Sequence, residues 1–121
     1  NYRLYQSFDL QQMALAYSAA DVIVGRSGAG TIFEMAAVGQ PAIIIPLKGA
    51  ASDHQLSNAR EFARFGAIVI EEENLTPHIL ISEIENAYEG RAELSPKIKQ
   101  FARPAAASII AEEVLGMAQQ L

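Results

Sequence analysis

The chain is expected to fold as an α/β domain, a Rossmann-like parallel sheet with flanking helices that ends in C-terminal helices. Two observations carry this. Short apolar runs, Val22–Val24, Ala42–Ile45 and Ala67–Ile70, alternate with longer stretches of helical period, which is the pattern of βαβ units and a parallel sheet. The first two runs are each followed by a polar or glycine-rich cluster, Gly25–Thr31 and Asp53–Asn58. Both clusters would then sit at the carboxyl ends of parallel strands, where open α/β sheets bind ligands.

The elements follow in order. Tyr2–Gln6 reads as a strand entering the sheet. Asp9 can cap a helix running to about Ala20, with Leu10, Met13, Ala14 and Tyr17 at helical spacing on one face. Val22–Gly25 returns as a short buried strand. Thr31–Val38 follows as a helix closed by Gly39, and Gln40-Pro41 leads into strand Ala42–Ile45. Asp53 caps the next helix to about Phe65, and Gly66 ends it before strand Ala67–Ile70. Glu71-Glu72-Glu73 reads as a solvated loop. Thr76-Pro77 is a cap followed by proline at the first helical position, opening a helix to about Tyr88. Beyond Gly90, Ser95-Pro96 opens a short helix and Ala105–Leu121 an amphipathic, alanine-rich one.

At 121 residues, half of them hydrophobic, the chain fits one domain with a real core. A net charge of −5 with scattered basic residues argues against nucleic acid or an anionic membrane as partner, since both demand clustered Lys and Arg. No cysteine is present, which excludes a disulfide scaffold and a thiolate metal site and is compatible with the cytoplasm. The longest apolar run, Ala42 to Leu47, falls far short of the ~20 residues of a membrane span. The chain opens on Asn1 rather than Met and already in a strand-like segment. A fragment of a longer protein is expected.

The chemistry gathers at two helix starts. A helix N-terminus offers unpaired N–H groups and partial positive charge, and Gly28, Ala29 and Gly30 would let an anion approach the backbone closely. The spacing is neither a Walker loop nor a dinucleotide fingerprint, and a tight strand-to-helix turn is the alternative reading. Thr31-x-x-Glu34 can be a capping box, or the Glu34 carboxylate can accept the two hydroxyls of a ribose. The two differ in where the helix begins: a cap at Ser27 or Gly28 would put Glu34 in the second turn, free for a ligand. His54, Gln55 and Asn58 fall on one face of a helix start, where amide and imidazole donors suit sugar hydroxyls. They can equally be first-turn surface residues behind an Asp53 cap. Arg26 is a phosphate ligand or a surface ion-pair partner. The only other histidine, His78, starts a different helix, so no metal site is expected. Gly25-Arg26-Ser27-Gly28-Ala29 imitates a nucleophile elbow. The closing glycine is alanine, however, and adjacent Asp53 and His54 cannot line up as orienter and base.

Several longer segments match one family. Ala16–Thr31, Glu34–Pro41, Pro46-Leu47 and Ser52–Ala59, in that order, closely resemble the carboxyl-terminal half of the peptidoglycan N-acetylglucosaminyltransferases, and Ala102–Ala106 is similar to the family's approach to its closing helix. The resemblance implies a GT-B fold, with this chain as part of the C-terminal, donor-nucleotide-binding domain. It implies transfer of N-acetylglucosamine from UDP-N-acetylglucosamine to the lipid I carrier, giving lipid II. By that resemblance Glu34 holds the ribose hydroxyls and Arg26, Ser27, Gly28, Ala29, Gly30 and Thr31 line the nucleotide crevice. His54, Gln55 and Asn58 contact the sugar and diphosphate. Missing are the N-terminal domain, with the catalytic and acceptor-side groups, and the opening of the second half. The chain would then hold no catalytic residue, no metal and no cofactor, and part of the donor site only. Its parent would be peripheral on the cytoplasmic face of the plasma membrane, its lipid-linked acceptor bound elsewhere. The catalytic subunit of a dolichol-type N-acetylglucosaminyltransferase, with a similar Gly-Ala-Gly and Asp-x-His-Gln pattern, and a non-catalytic nucleotide-sugar binding module are the alternatives.

Overall fold

A computed structural model describes residues 1–49, 53–102 and 114–120. Helix α1 (Leu10–Ala19) leads to strand β1 (Ile23–Gly25), helix α2 (Ala29–Val38), strand β2 (Ala42–Ile44), helix α3 (Asp53–Ala63) and strand β3 (Ile68–Val69). A 3₁₀ turn (Glu72–Asn74) precedes helices α4 (Pro77–Glu89) and α5 (Arg91–Ala102). The sheet is parallel with order β1-β2-β3, and Val24 pairs with Ile43, which pairs with Ile68. The ladder runs on past the strands, since Ile45 N–H donates to Gly25 C=O at 2.8 Å and Ile70 N–H to Ile44 C=O at 2.9 Å.

The central strand β2 is buried throughout, and its alternation divides the core in two. Ala42 and Ile44 join Ile32, Met35, Ala36, Ala59, Phe62 and Ile98 from α2, α3 and α5 on one face. Ile43 meets Ala87 and half-buried Leu80 and Ile84 of α4 on the other. Helices therefore cover both faces, which is why a parallel sheet reads as continuous apolar runs. The tip of the buried Met35 side chain fills the space that Gly25 leaves, its Cε 2.4 Å from where a Cβ would lie. Gly39 closes α2 in the left-handed region at φ 78°, with the Lys99 stem of α5 over it.

Several expectations hold at their caps. Asp9 caps α1 and forms a full capping box with Gln12, and Thr76 caps α4 ahead of Pro77. Others need correction. Tyr2–Gln6 is irregular and exposed rather than a strand; among the described residues β1 pairs with β2 alone, and this segment does not take up its other edge. Leu10 and Ala14 are exposed while Met13 and Tyr17 of the expected face are half-buried, and of the four Tyr17 packs on the core. Ser95-Pro96 does not open a helix, since α5 starts at Arg91 and carries Pro96 inside it. The bond that Pro96 cannot donate belongs to the carbonyl of Ala92, which is exposed and open to water. Packing of Leu94, Ile98, Phe101 and Ala102 on the core holds the helix across that position. Of the expected Ala105–Leu121 helix, residues 114–119 are helical and the part up to residue 113 lies outside the described residues. Among the described residues no helix is long and apolar enough to cross a membrane.

Candidate functional site

Three connections meet at the carboxyl edge of the sheet. The first, Arg26-Ser27-Gly28, turns β1 into α2. Helix α2 begins at Ala29 with Gly28 as its N-cap, two residues earlier than the spacing predicts. Ile32 N–H makes the first helical bond, to Gly28 C=O at 3.0 Å, and no side chain caps the end. The N–H groups of Ala29, Gly30 and Thr31 therefore open the helix without a capping side chain. With this start Glu34 lies in the second turn, so the Thr31-Glu34 capping box does not form. Glu34 is exposed, and its Oε2 accepts from the Tyr17 hydroxyl of α1 at 3.3 Å. The Tyr17 phenol is held above its usual pKa, by burial first and then by the Glu34 charge and hydrogen bond. It is a protonated donor at neutral pH.

Two glycines of the turn are there for no internal reason. Gly28 has an ordinary extended backbone, φ −61° and ψ 142°, and a Cβ on it would meet nothing nearer than Thr31 Oγ1 at 3.9 Å. At Gly30 a Cβ would meet nothing within 4 Å. Neither strain nor crowding requires glycine at either position, in contrast to Gly25 and Gly39. Glycine at either position leaves the backbone beside it uncovered by a side chain.

The α3 side is tied to this turn. Ser27 is fully buried and donates from Oγ to the Gln55 carbonyl at 2.6 Å. Asn58 Nδ2 donates to the Ser27 carbonyl at 3.2 Å, and Gln55 Oε1 accepts from Leu47 N–H at 2.9 Å. Gln55 and Asn58 are half-buried, the Asn58 side chain on the turn and the Gln55 side chain on the loop after β2, whereas His54, expected on the same face, is not brought in with them. His54 is exposed, at the rim. The capping role expected of the Asp53 side chain lies outside the described residues. The nucleophile-elbow reading fails here, because the Ser27 hydroxyl is buried and committed to a backbone carbonyl rather than an imidazole.

Arg26 donates from Nη1 to the Ile45 carbonyl at 3.2 Å and pairs with Glu72. Lys48 pairs with Glu73 at 2.6 Å; its ammonium is pushed up in pKa and the carboxylate down by that hydrogen bond. Both ion pairs clip the third connection to the other two. The loop Glu71–Glu73 is therefore paired at two of its three carboxylates rather than merely solvated. A cavity of about 160 Å³ lies between Leu47, Lys48, Leu56 and these three glutamates. Among the described residues no group of three or more His, Asp or Glu could hold a metal.

Spacing alone misses Tyr17, Lys48 and Glu72 as members of this edge. Tyr17 reads as core because its period is helical; the one available signal is that a half-buried tyrosine needs a partner for its hydroxyl.

The glycosyltransferase family 28 C-terminal domain matches residues 3–113. A relative from Bacteroides fragilis, UDP-N-acetylglucosamine--N-acetylmuramyl-(pentapeptide) pyrophosphoryl-undecaprenol N-acetylglucosamine transferase, is 38% identical over 92% of the chain and 30% of its own length. The protein of the same name from Syntrophotalea carbinolica is 46% identical over 70% of the chain and 24% of its own. The crystal structure of MurG from Acinetobacter baumannii superposes with a TM-score of 0.72 at 31% identity, over 93% of the chain and 32% of that protein. The chain thus spans about a third or less of the relatives it matches. Its Rossmann-like sheet with flanking helices is that of the GT-B C-terminal domain, as the sequence resemblance implied. The chain belongs to the glycosyltransferase family 28 C-terminal domain family.

Proposed function

We propose that this chain is the donor-binding part of an enzyme that moves N-acetylglucosamine from UDP-N-acetylglucosamine to the lipid I carrier, forming lipid II. The observation that carries the reading is the start of α2 at Gly28. It releases Glu34 from a cap, leaves three N–H groups without a capping side chain, and keeps Gly28 and Gly30 open to a ligand's approach. In this reading Glu34 accepts the two ribose hydroxyls, while Ser27, Gly28, Ala29, Gly30 and Thr31 line the nucleotide crevice with Arg26 beside it. His54 at the rim, with Gln55 and Asn58 behind it, contacts the sugar and diphosphate.

The chemistry asked of this chain is binding and charge stabilisation. When the acceptor hydroxyl attacks the anomeric carbon, the sugar–phosphate bond breaks and UDP leaves with the electron pair. The partial positive charge of the α2 N-terminus stabilises the anion that departs. The acceptor, and the base that takes its proton, belong to a domain outside this chain, so the isolated chain is inactive. The parent works as a peripheral enzyme on the cytoplasmic face of the membrane. No metal or cofactor is assigned a part.

Glu34 supplies the test. In the complete two-domain enzyme, Glu34→Gln should weaken UDP-N-acetylglucosamine binding by on the order of 1.5–3 kcal/mol, the worth of charge-assisted hydrogen bonds, and leave the melting temperature nearly unchanged. Calorimetric titration and thermal unfolding read both. Full donor affinity in Glu34→Gln would overturn the ribose assignment.

A further inference from the structure

Tyr17 stands outside every role assigned above, yet its hydroxyl reaches the one carboxylate to which the proposed function gives a ligand. The ring packs against the core cluster formed by α2, α3 and α5, so its position is fixed from behind. The hydroxyl emerges from that anchor and donates to Glu34 Oε2 at 3.3 Å. Glu34 is itself exposed, and a free glutamate at a surface samples many rotamers that a bound one must give up. A single donor on one oxygen selects among those rotamers. Oε1 and the second lone pair of Oε2 remain open to accept two further hydroxyls. A phenylalanine would fill the same apolar contact and hold nothing.

We infer that Tyr17 is a positioning residue for donor recognition: it holds the Glu34 carboxylate in the orientation that accepts the ribose hydroxyls. The inference rests on the ribose reading of Glu34 and adds a residue from a different helix. It makes α1, which lines no other part of the site, the support of the donor's ribose contact. Burial and the Glu34 charge keep the phenol protonated through the neutral range, so the donor is present wherever the enzyme works.

The test uses the complete two-domain enzyme with UDP-N-acetylglucosamine and its 2′,3′-dideoxyuridine counterpart, which lacks both hydroxyls, as donors. Tyr17→Phe should raise KM for the ribose donor about three- to tenfold, the cost of ordering one rotamer-rich side chain on binding. Its kcat and its KM for the dideoxy donor should stay within about twofold of wild type. Glu34→Gln should lose the preference for ribose altogether, and the double variant should be no worse than Glu34→Gln. If Tyr17→Phe leaves the ribose preference intact while Glu34→Gln abolishes it, the positioning role is wrong and the ribose reading stands. An equal rise in KM for both donors, or a fall in kcat alone, would reduce Tyr17 to a packing residue and overturn the inference. If Glu34→Gln itself keeps the preference, the ribose reading fails and the role of Tyr17 falls with it.

Discussion

Helices α1 and α2 have the same length, ten residues each, and are held in opposite ways. Helix α1 buries no residue, yet its start is closed by the reciprocal Asp9–Gln12 capping box. Helix α2 buries Ile32, Met35 and Ala36 between the sheet and α5, yet its start carries no side-chain cap. Local chemistry sustains α1 and tertiary packing sustains α2. A helix that packing already holds can leave its first N–H groups uncommitted, and these are the groups an anionic ligand would use. The uncapped end is affordable only where the core supplies the stability.

Truncation inside each helix is the strongest way to break this contrast. Met35→Ala removes a side chain that is 2% exposed and should cost about 2–5 kcal/mol. Leu15→Ala removes one that is 65% exposed and should stay within about 0.5 kcal/mol. Chemical denaturation measures both. Comparable losses at the two sites would show that α1 shares the core's cooperativity.

The cap of α1 tests the other half of the comparison at a smaller scale. Asp9→Ala should cost about 1 kcal/mol, the usual worth of an N-cap. Because few α1 side chains reach the core, Tyr17 and Ala20 beyond its end among them, the loss should appear as local opening. Hydrogen exchange of the α1 amides should quicken about fivefold while the global unfolding midpoint holds still. A matching shift of the midpoint would mean that α1 and the core unfold together.

What was legible in the sequence divides along the same line. Asp9, Gly39 and Thr76-Pro77 act through neighbours within four residues, so their types announce their roles. Tyr2–Gln6 has strand-like residues, but a strand also needs a partner ladder, which no local pattern supplies. Pro96 reads as a helix start because its missing donor is a local rule, whereas the contacts that carry α5 through it are made with distant residues. At the site, the glycine turn and the Gln55–Asn58 face could be read from types and spacing. Whether Glu34 caps α2 could not, since it turns on a two-residue shift in the helix start, within the ordinary latitude of helix ends. The meeting of Tyr17 with Glu34 was out of reach for a different reason: it depends on how α1 lies against α2.

Restoring a cap to α2 is the sharpest test of why its start is open. Gly28 has the extended backbone of an N-cap, and a Cβ there has room, so Gly28→Asp meets neither strain nor clash. Its carboxylate can accept from the free N–H groups of the first turn and oppose the helix dipole. Together these should add a few tenths to about 1 kcal/mol of stability. The same carboxylate would occupy the place, and repel the charge, of a diphosphate. Donor affinity should therefore fall at least about tenfold, some 1.4 kcal/mol, as the melting temperature rises. A conventional cap would make the fold better and the site worse, which is a reason for glycine to stand there. If Gly28→Asp stabilises the protein and the UDP-sugar binds as before, the diphosphate does not sit at the α2 N-terminus, and the missing cap needs another explanation.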